Sequence, residues 1–408
     1  MPDPAPASRD AASERPPPQR AVLAVAAALT LALAVRAGAE GGARLAAAAA
    51  IGAVAGVALY HAGFGFTAAW RRLVRERRGA GLRAQFVLIG AACALSYPMM
   101  AWGDALGMPM NGWILPIGVA SALGAAMFGV GMQLGGGCAS GTLYTVGGGS
   151  TRMLVTLAAF VGGSVLATAH WDLWSALPRT RAGVSLLAET GGPLPALAAL
   201  FAGLGTLGAA TLAWERRAHG ALEAPRRTES LLRGPWSLLA GALALAAVCW
   251  ACFLVLGRPW GVTSGFALWG AKLAAAAGWP VETWSYWSGW RAASLARPVF
   301  ADATSVMNFG IVAGALGAAG AAGRFAPVRR LTGRQFVTAV LGGLLMGYGA
   351  RLAYGCNIGA YLGGLVSGSL HGAWWLLWGF LGSFAGTALR ARLGMDVPLS
   401  PQPAGAAP

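Results

Sequence analysis

The stretch Gly131-Met-Gln-Leu-Gly-Gly-Gly-Cys138-Ala-Ser-Gly141 returns in altered form as Gly349-Ala-Arg-Leu-Ala-Tyr-Gly-Cys356-Asn-Ile-Gly359. Aligned on their cysteines, the two segments share four glycine or cysteine positions and one leucine: Gly131/Gly349, Leu134/Leu352, Gly137/Gly355, Cys138/Cys356 and Gly141/Gly359. Glycine allows a positive φ angle and close approach of the backbone, so each segment predicts a break in an apolar helix. A duplicated break of this kind is the best sequence indication of a transporter's binding site.

Composition places the whole chain in a membrane. Apolar residues make up 56% of it and charged residues only 11%, whereas soluble domains carry about 25% charged residues. The net charge is +16, but in a membrane protein basic residues collect in the loops on the cytoplasmic side. The charge therefore carries information about topology, and we expect no nucleic-acid partner.

Hydropathy predicts an all-α polytopic membrane protein with about ten transmembrane helices. The predicted spans are 21–36, 45–63, 84–103, 113–134, 152–170, 193–214, 236–256, 304–323, 334–354 and 371–390. Four short re-entrant half-helices are predicted near 64–70, 138–147, 260–272 and 356–366. We expect a disordered tail at 1–20, repeats at 21–214 and 236–393, a cytoplasmic linker at 215–235 and a second tail at 394–408. A cleaved signal peptide is the alternative interpretation of the first apolar stretch.

The arginines predict the orientation. With a cytoplasmic N-terminus, 21 of the 30 basic residues fall in cytoplasmic segments and 9 outside, as the positive-inside rule requires. Six of these spans precede the linker and four follow it, but the two cysteine segments follow the fourth and the ninth span, an odd number of crossings apart, which predicts an inverted 5+5 repeat. We expect a multi-pass protein of the bacterial cytoplasmic membrane with both termini in the cytoplasm.

Each cysteine should begin a short helix inside the membrane. The positive end of a helix dipole favours anions, and a thiol donates a weak hydrogen bond. The predicted substrate-binding set at the two breaks is Gly136, Gly137, Cys138, Gly355, Cys356 and Asn357. The alternative is that these glycines pack helices and the cysteines fill space as small apolar residues.

A second pair of segments contributes further candidates. Gly65 lies in His61-Ala-Gly-Phe-Gly-Phe-Thr, and Gly265 lies in Arg258-Pro-Trp-Gly-Val-Thr-Ser-Gly-Phe. Lys272, the only lysine of the chain, and Arg351 are candidate anion attractors. Snorkelling towards the interface is the alternative for both side chains.

The segments GGGCASGTLY, YGCNIGAYLGG, RPWGVTSGFALWGAK and SVMNFGIVAGA resemble the YeeE/YedE family of sulfur-transport membrane proteins, and the YedE branch in particular. The resemblance implies a compact transporter with inverted halves. It also implies import of thiosulfate or a related sulfur anion past Cys138 and Cys356. A TusA-like cytoplasmic sulfurtransferase is the partner that it implies.

The sequence departs from the family at one position. Thiosulfate importers of this family carry a further cysteine in the first dipping segment, where this chain has Phe64-Gly65-Phe66. Alternative functions are transport of selenium or other sulfur compounds, and a membrane sulfur-relay enzyme that forms a persulfide. We expect a transporter rather than an enzyme, with membrane lipid around it and neither a cofactor nor a metal site.

Overall fold

The protein is an almost entirely helical bundle. The computed structural model describes residues 16–327 and 330–395; most of the two predicted tails lies outside these residues. Within them, β structure is limited to two isolated bridges, Gly118 with Arg179 and Ser185 with Ser369. The first half contains α1 (Arg20–Ala62), α2 (Phe66–Glu76), α3 (Ala80–Trp102), α4 (Val119–Gly135), α5 (Ala139–Gly147), α6 (Thr151–Ala169), α7 (Trp171–Ser175), α8 (Leu186–Glu189) and α9 (Pro193–His219). The second half contains α10 (Leu238–Ala251), α11 (Thr263–Ala276), α12 (Trp290–Ala296), α13 (Ala303–Ala321), α14 (Gly333–Leu352), α15 (Gly363–Val366) and α16 (Leu370–Arg392).

Length and hydropathy confirm a multi-pass membrane protein. The described part of the chain holds eight helical stretches long and apolar enough to cross a bilayer. The first of them contains two predicted spans, 21–36 and 45–63, which lie on either side of a kink in α1. Gly41 and Gly42 interrupt α1 with non-helical backbone, and Gly42 has φ of 66°. A glycine can adopt that angle without steric penalty, so the chain turns here, between the two predicted spans.

Two predicted span boundaries were wrong by five residues or more. The span predicted to begin at residue 113 begins at Val119, because Pro116 cannot continue a helical hydrogen-bond ladder. Residues 113–117 instead form no regular element, and the backbone N–H of Trp113 donates to Ser367 Oγ at 2.9 Å. At the other boundary, α9 continues to His219 rather than ending at 214.

The extra turn of α9 contains a buried carboxylate. The Glu215 side chain is fully buried and pairs with Arg78 at 3.2 Å and Arg83 at 2.8 Å. It also accepts a hydrogen bond from the backbone N–H of Gly79 at 3.1 Å. The span predicted at 193–214 ended one residue before this carboxylate. Through these ion pairs and this hydrogen bond, Glu215 holds the α2–α3 connection against the end of α9.

Four helix pairs pack more extensively than the others. The most extensive pairings are α14 with α4 and α6, α16 with α4, and α1 with α13. Gly124 on α4 and Gly349 on α14 allow the backbones to approach, and a Cβ built on Gly349 would lie 2.4 Å from the Gly124 carbonyl oxygen. Small residues at such crossings are the usual means of close packing in membranes.

Candidate functional site

Cys138 stands at the start of a short helix. The preceding helix, α4, ends at Gly135, and Gly136 follows in the left-handed conformation with φ of 95°. Cys138 is the N-cap residue of α5, it is 1% exposed, and its Sγ lies 3.5 Å from Ser140 Oγ. The backbone therefore breaks where the glycine pattern predicts, and the thiol is at the positive end of α5.

Cys356 has the same relation to the second break. It is the N-cap residue of a π-helix, Asn357–Leu362, that continues into α15. The cysteine is fully buried, and the indole of Trp375 donates to the carbonyl of Gly355 at 3.2 Å. The π-helix contacts α5, so the tertiary structure brings the two cysteine-bearing helices together.

Polar groups beside Cys356 retain hydrogen-bonding capacity. Asn357 is fully buried, and neither its side-chain oxygen nor its nitrogen has a partner among the described residues. The Tyr361 hydroxyl and both ring nitrogens of His371 are also buried without a partner in that part of the chain. Buried polar atoms of this kind are uncommon in native proteins and point to a ligand or water.

A cavity of about 360 Å³ leads to this region; we call it the vestibule. Its wall includes Gly355 and Gly359, on either side of Cys356. Thr263 and Ser264, at the N-terminus of α11, form another part of the wall. The indole of Trp113, which also lines the vestibule, lies against the Cys356 helix, since a Cβ on Gly363 would meet it at 3.4 Å.

Three arginines make the vestibule cationic: Arg258, Arg291 and Arg351. Arg351 is 5% exposed and donates to the Tyr286 hydroxyl at 3.1 Å, while its Nε is buried without a partner among the described residues. The guanidinium of Arg291 lies 4.5 Å from the centre of the Tyr286 ring, which is a cation–π distance. Tyr286 therefore orients two of the three cations.

The remaining arginine and the one carboxylate of the vestibule wall are also held in place. Arg258 donates to Thr304 Oγ1 at 3.1 Å. Asp302 caps α13 by accepting from the backbone N–H of Ser305 at 2.8 Å and from its hydroxyl at 2.7 Å. Because Asp302 is engaged in this cap, the charge balance of the wall favours an anion.

The other predicted residues fall in different surroundings. Lys272 donates to the Leu295 carbonyl at 2.6 Å, where α11 meets α12, and it is not part of the vestibule wall. Gly265 allows α11 to approach α13, because a Cβ there would lie 2.9 Å from Asn308 Nδ2.

Gly65 is the N-cap residue of α2 with extended backbone, φ −138°. A Cβ at this position would find its nearest neighbour, Tyr144 Oη, at 3.8 Å. A cysteine, the residue found here in thiosulfate importers of the family that the sequence resembles, would therefore fit the backbone and the space.

Sequence reasoning missed Arg258, Arg291 and Tyr286 as members of the site. Arg258 opens the RPWG segment, so its position beside a motif was a usable signal. Nothing local distinguishes Arg291 or Tyr286, which come from a tryptophan-rich connection between apolar helices. Their role follows only from the convergence of that connection with the end of α14.

Comparison with known proteins gives consistent matches. A family model described as sulphur transport matches residues 61–385. The probable transporter YedE of Escherichia coli (strain K12) is 27% identical over 172 residues, 42% of this chain and 42% of that protein. The probable transporter YedE of Salmonella typhimurium (strain LT2) is 30% identical over 155 residues, 38% of each chain. The chain thus aligns with about two fifths of the length of these relatives.

Proposed function

The chain belongs to the sulphur transport family, and from this membership we propose that it imports a small sulfur-containing anion, with thiosulfate as the first candidate. The observation that carries the proposal is the cationic vestibule whose wall reaches Gly355 and Gly359 beside Cys356. A thiosulfate dianion would be attracted by Arg258, Arg291 and Arg351 before it meets the first thiol.

The proposed path runs from the vestibule past Cys356 to Cys138. Its support is the contact between the π-helix Asn357–Leu362 and α5, which begin directly after the two cysteines. At each thiol the anion would meet a helix N-terminus and a weak S–H donor. The Asn357 amide, which has both polar atoms buried without a partner among the described residues, could bond an oxygen of the anion. Passage in this scheme forms no covalent bond to sulfur.

We further propose that the two halves form an inverted repeat. The support is the matching of helix pairs: α14 packs on α6 as α16 packs on α4, and α13 packs on α1 as α3 packs on α10. Five predicted spans separate the two cysteine segments, and an odd number of crossings would turn one copy over relative to the other. The two thiols would then approach the membrane centre from opposite faces.

The direction of import rests on the arginine distribution. Arg258, Arg291 and Arg351 belong to the minority of basic residues that the positive-inside rule assigns to the outer face. The vestibule would therefore open away from the cytoplasm, in the cytoplasmic membrane of a bacterium. A TusA-like sulfurtransferase is the cytoplasmic acceptor that this scheme would supply.

Uptake of radiolabelled thiosulfate by cells lacking their own importers tests the proposal. We expect Cys138→Ala and Cys356→Ala each to reduce uptake about three- to tenfold at matched membrane levels, because alanine removes the S–H donor and with it one hydrogen bond. Cys249→Ala is the matched control, because Cys249 is also buried but lies inside α10, outside both breaks.

Two results would contradict the proposal. The first is no thiosulfate uptake by the unmodified protein, which would direct the search to selenium or other sulfur compounds. The second is a labelled sulfur atom covalently retained on Cys138 or Cys356, which would indicate a relay by persulfide instead of passage.

A further inference from the structure

Side chains on one turn of α3 donate hydrogen bonds to the C-terminal end of the helical segment that Cys356 begins. The Tyr97 hydroxyl donates to the Leu365 carbonyl at 2.9 Å, and the Ser96 hydroxyl donates to the Val366 carbonyl at 2.6 Å. The Cys93 thiol lies 3.5 Å from the same Leu365 oxygen. All three side chains are buried, with exposures of 0 to 1%.

These contacts provide hydrogen-bond donors to buried carbonyl groups at the end of a helix. The last carbonyl groups of a helix have no partner within it, and a carbonyl buried away from water is unfavourable unless something donates to it. Leu365 and Val366 are at the C-terminal end of α15. The Leu365 carbonyl also accepts from the backbone N–H of Gly368 at 2.9 Å, so Tyr97 supplies a second hydrogen bond to it, whereas Ser96 supplies one to Val366. Spacings of three and four residues place Cys93 on the same face of α3 as Ser96 and Tyr97, respectively.

The helical segment 357–366 is short, so its two ends move together. Cys356 caps its first residue, and the hydroxyl groups of α3 fix its last carbonyls. A shift of the C-terminal end along the helix axis would move the Cys356 thiol and the Asn357 amide by a similar distance. Ser96 and Tyr97 are therefore placed to set the position of the thiol relative to the vestibule.

We propose that Ser96 and Tyr97 are positioning residues for Cys356, with Cys93 as a supporting contact. This inference rests on the proposed function insofar as Cys356 contacts the transported anion. Neither hydroxyl touches the anion in this scheme; both act through the backbone of the segment 357–366. Loss of either bond should weaken binding at the thiol while the vestibule remains intact.

The test compares Ser96→Ala and Tyr97→Phe with Ser164→Ala. Ser164 is a matched control, because it is fully buried and its hydroxyl also donates to a helix carbonyl, that of Gly347, at 3.3 Å. We expect each α3 variant to raise the KM for thiosulfate uptake about three- to tenfold, the effect of one lost hydrogen bond. Maximal uptake per folded transporter should stay within about twofold, and Ser164→Ala should leave KM unchanged.

A second measurement needs no substrate. The rate at which N-ethylmaleimide alkylates Cys356 in the purified protein can be followed by peptide mass spectrometry. We expect this rate to change about threefold or more in both α3 variants and to be unchanged in Ser164→Ala.

The two measurements separate the proposals. Absence of uptake by the unmodified protein would contradict the proposed function, and the alkylation rates would still decide the role of α3. Unchanged alkylation in both α3 variants, or an equal change in Ser164→Ala, would overturn the positioning role. An increase in KM for Ser164→Ala as large as that of the α3 variants would overturn it as well.

Discussion

Arg351 is the residue whose environment most strongly indicates a role in anion binding. Its side chain is 5% exposed and held by Tyr286 at 3.1 Å, and its helix ends just before the Gly355–Cys356 break. We expect Arg351→Gln to raise the KM for thiosulfate uptake about 10- to 100-fold, because a charged hydrogen bond contributes about 1.5–3 kcal/mol. Concentration-dependent uptake of the radiolabelled anion measures this change.

Arg297→Gln is the control at the same end of the molecule. Arg297 is exposed and is not part of the vestibule wall, so its loss should change KM by less than about twofold. An equal increase in KM for both variants would contradict direct binding of the anion by Arg351. It would indicate that the arginines attract the anion only through long-range electrostatics. A melting curve for Arg351→Gln in detergent distinguishes lost binding from lost folding.

At the scale of elements, the crossing of α4 and α14 determines where the two breaks stand relative to each other. Both helices lead directly into a cysteine segment, and they approach at Gly124 and Gly349. A Cβ on Gly349 would lie 2.4 Å from the Gly124 carbonyl oxygen, and backbone cannot move aside as a side chain can. We expect Gly349→Ala to destabilise the fold by about 1–3 kcal/mol, seen as a lower melting temperature in detergent and lower uptake.

Gly203→Ala provides the comparison for this crossing. Gly203 lies in α9, and a Cβ there would have no neighbour within 4 Å. Alanine is also the better helix former, so the melting temperature should be unchanged or slightly higher. Equal melting temperatures for Gly349→Ala and the unmodified protein would contradict this prediction. They would show that α4 and α14 can move apart to accommodate a methyl group without loss of stability.

For the whole molecule, the orientation in the membrane can be measured with introduced cysteines. The five native cysteines are all buried, so they give a low background for a membrane-impermeant maleimide. We expect Arg297→Cys to react from outside intact cells, and Arg226→Cys to react only in inverted vesicles, because arginines accumulate on the cytoplasmic side. Both positions are exposed.

The opposite labelling pattern would show that the vestibule opens on the cytoplasmic side of the membrane. It would indicate an exporter instead of the proposed importer. Labelling of both positions from the same side would contradict the single crossing, by the span 236–256, that this topology requires between residues 226 and 297. Either result can be separated from poor expression by labelling the same variants after detergent solubilisation.

Local chemistry predicted the helices and the breaks. Apolar runs of sufficient length form spans wherever they occur, and Gly136, just before Cys138, adopts the left-handed backbone that only glycine accepts easily. Boundaries were less predictable: α9 includes Glu215 because Arg78 and Arg83, far away in sequence, neutralise that carboxylate. No local pattern carries that information.

The sequence by itself determined a helical membrane protein of the sulphur transport family, with two glycine–cysteine breaks at corresponding places. Hydropathy and glycine geometry act over a few residues, which is why they can be read directly. Only the tertiary structure decided that Arg258, Arg291 and Arg351 share one vestibule, and that Ser96 and Tyr97 hold the end of the Cys356 helix. Those groups lie about 30 to 270 residues apart in sequence, so their meeting depends on how the helices pack and not on any local preference.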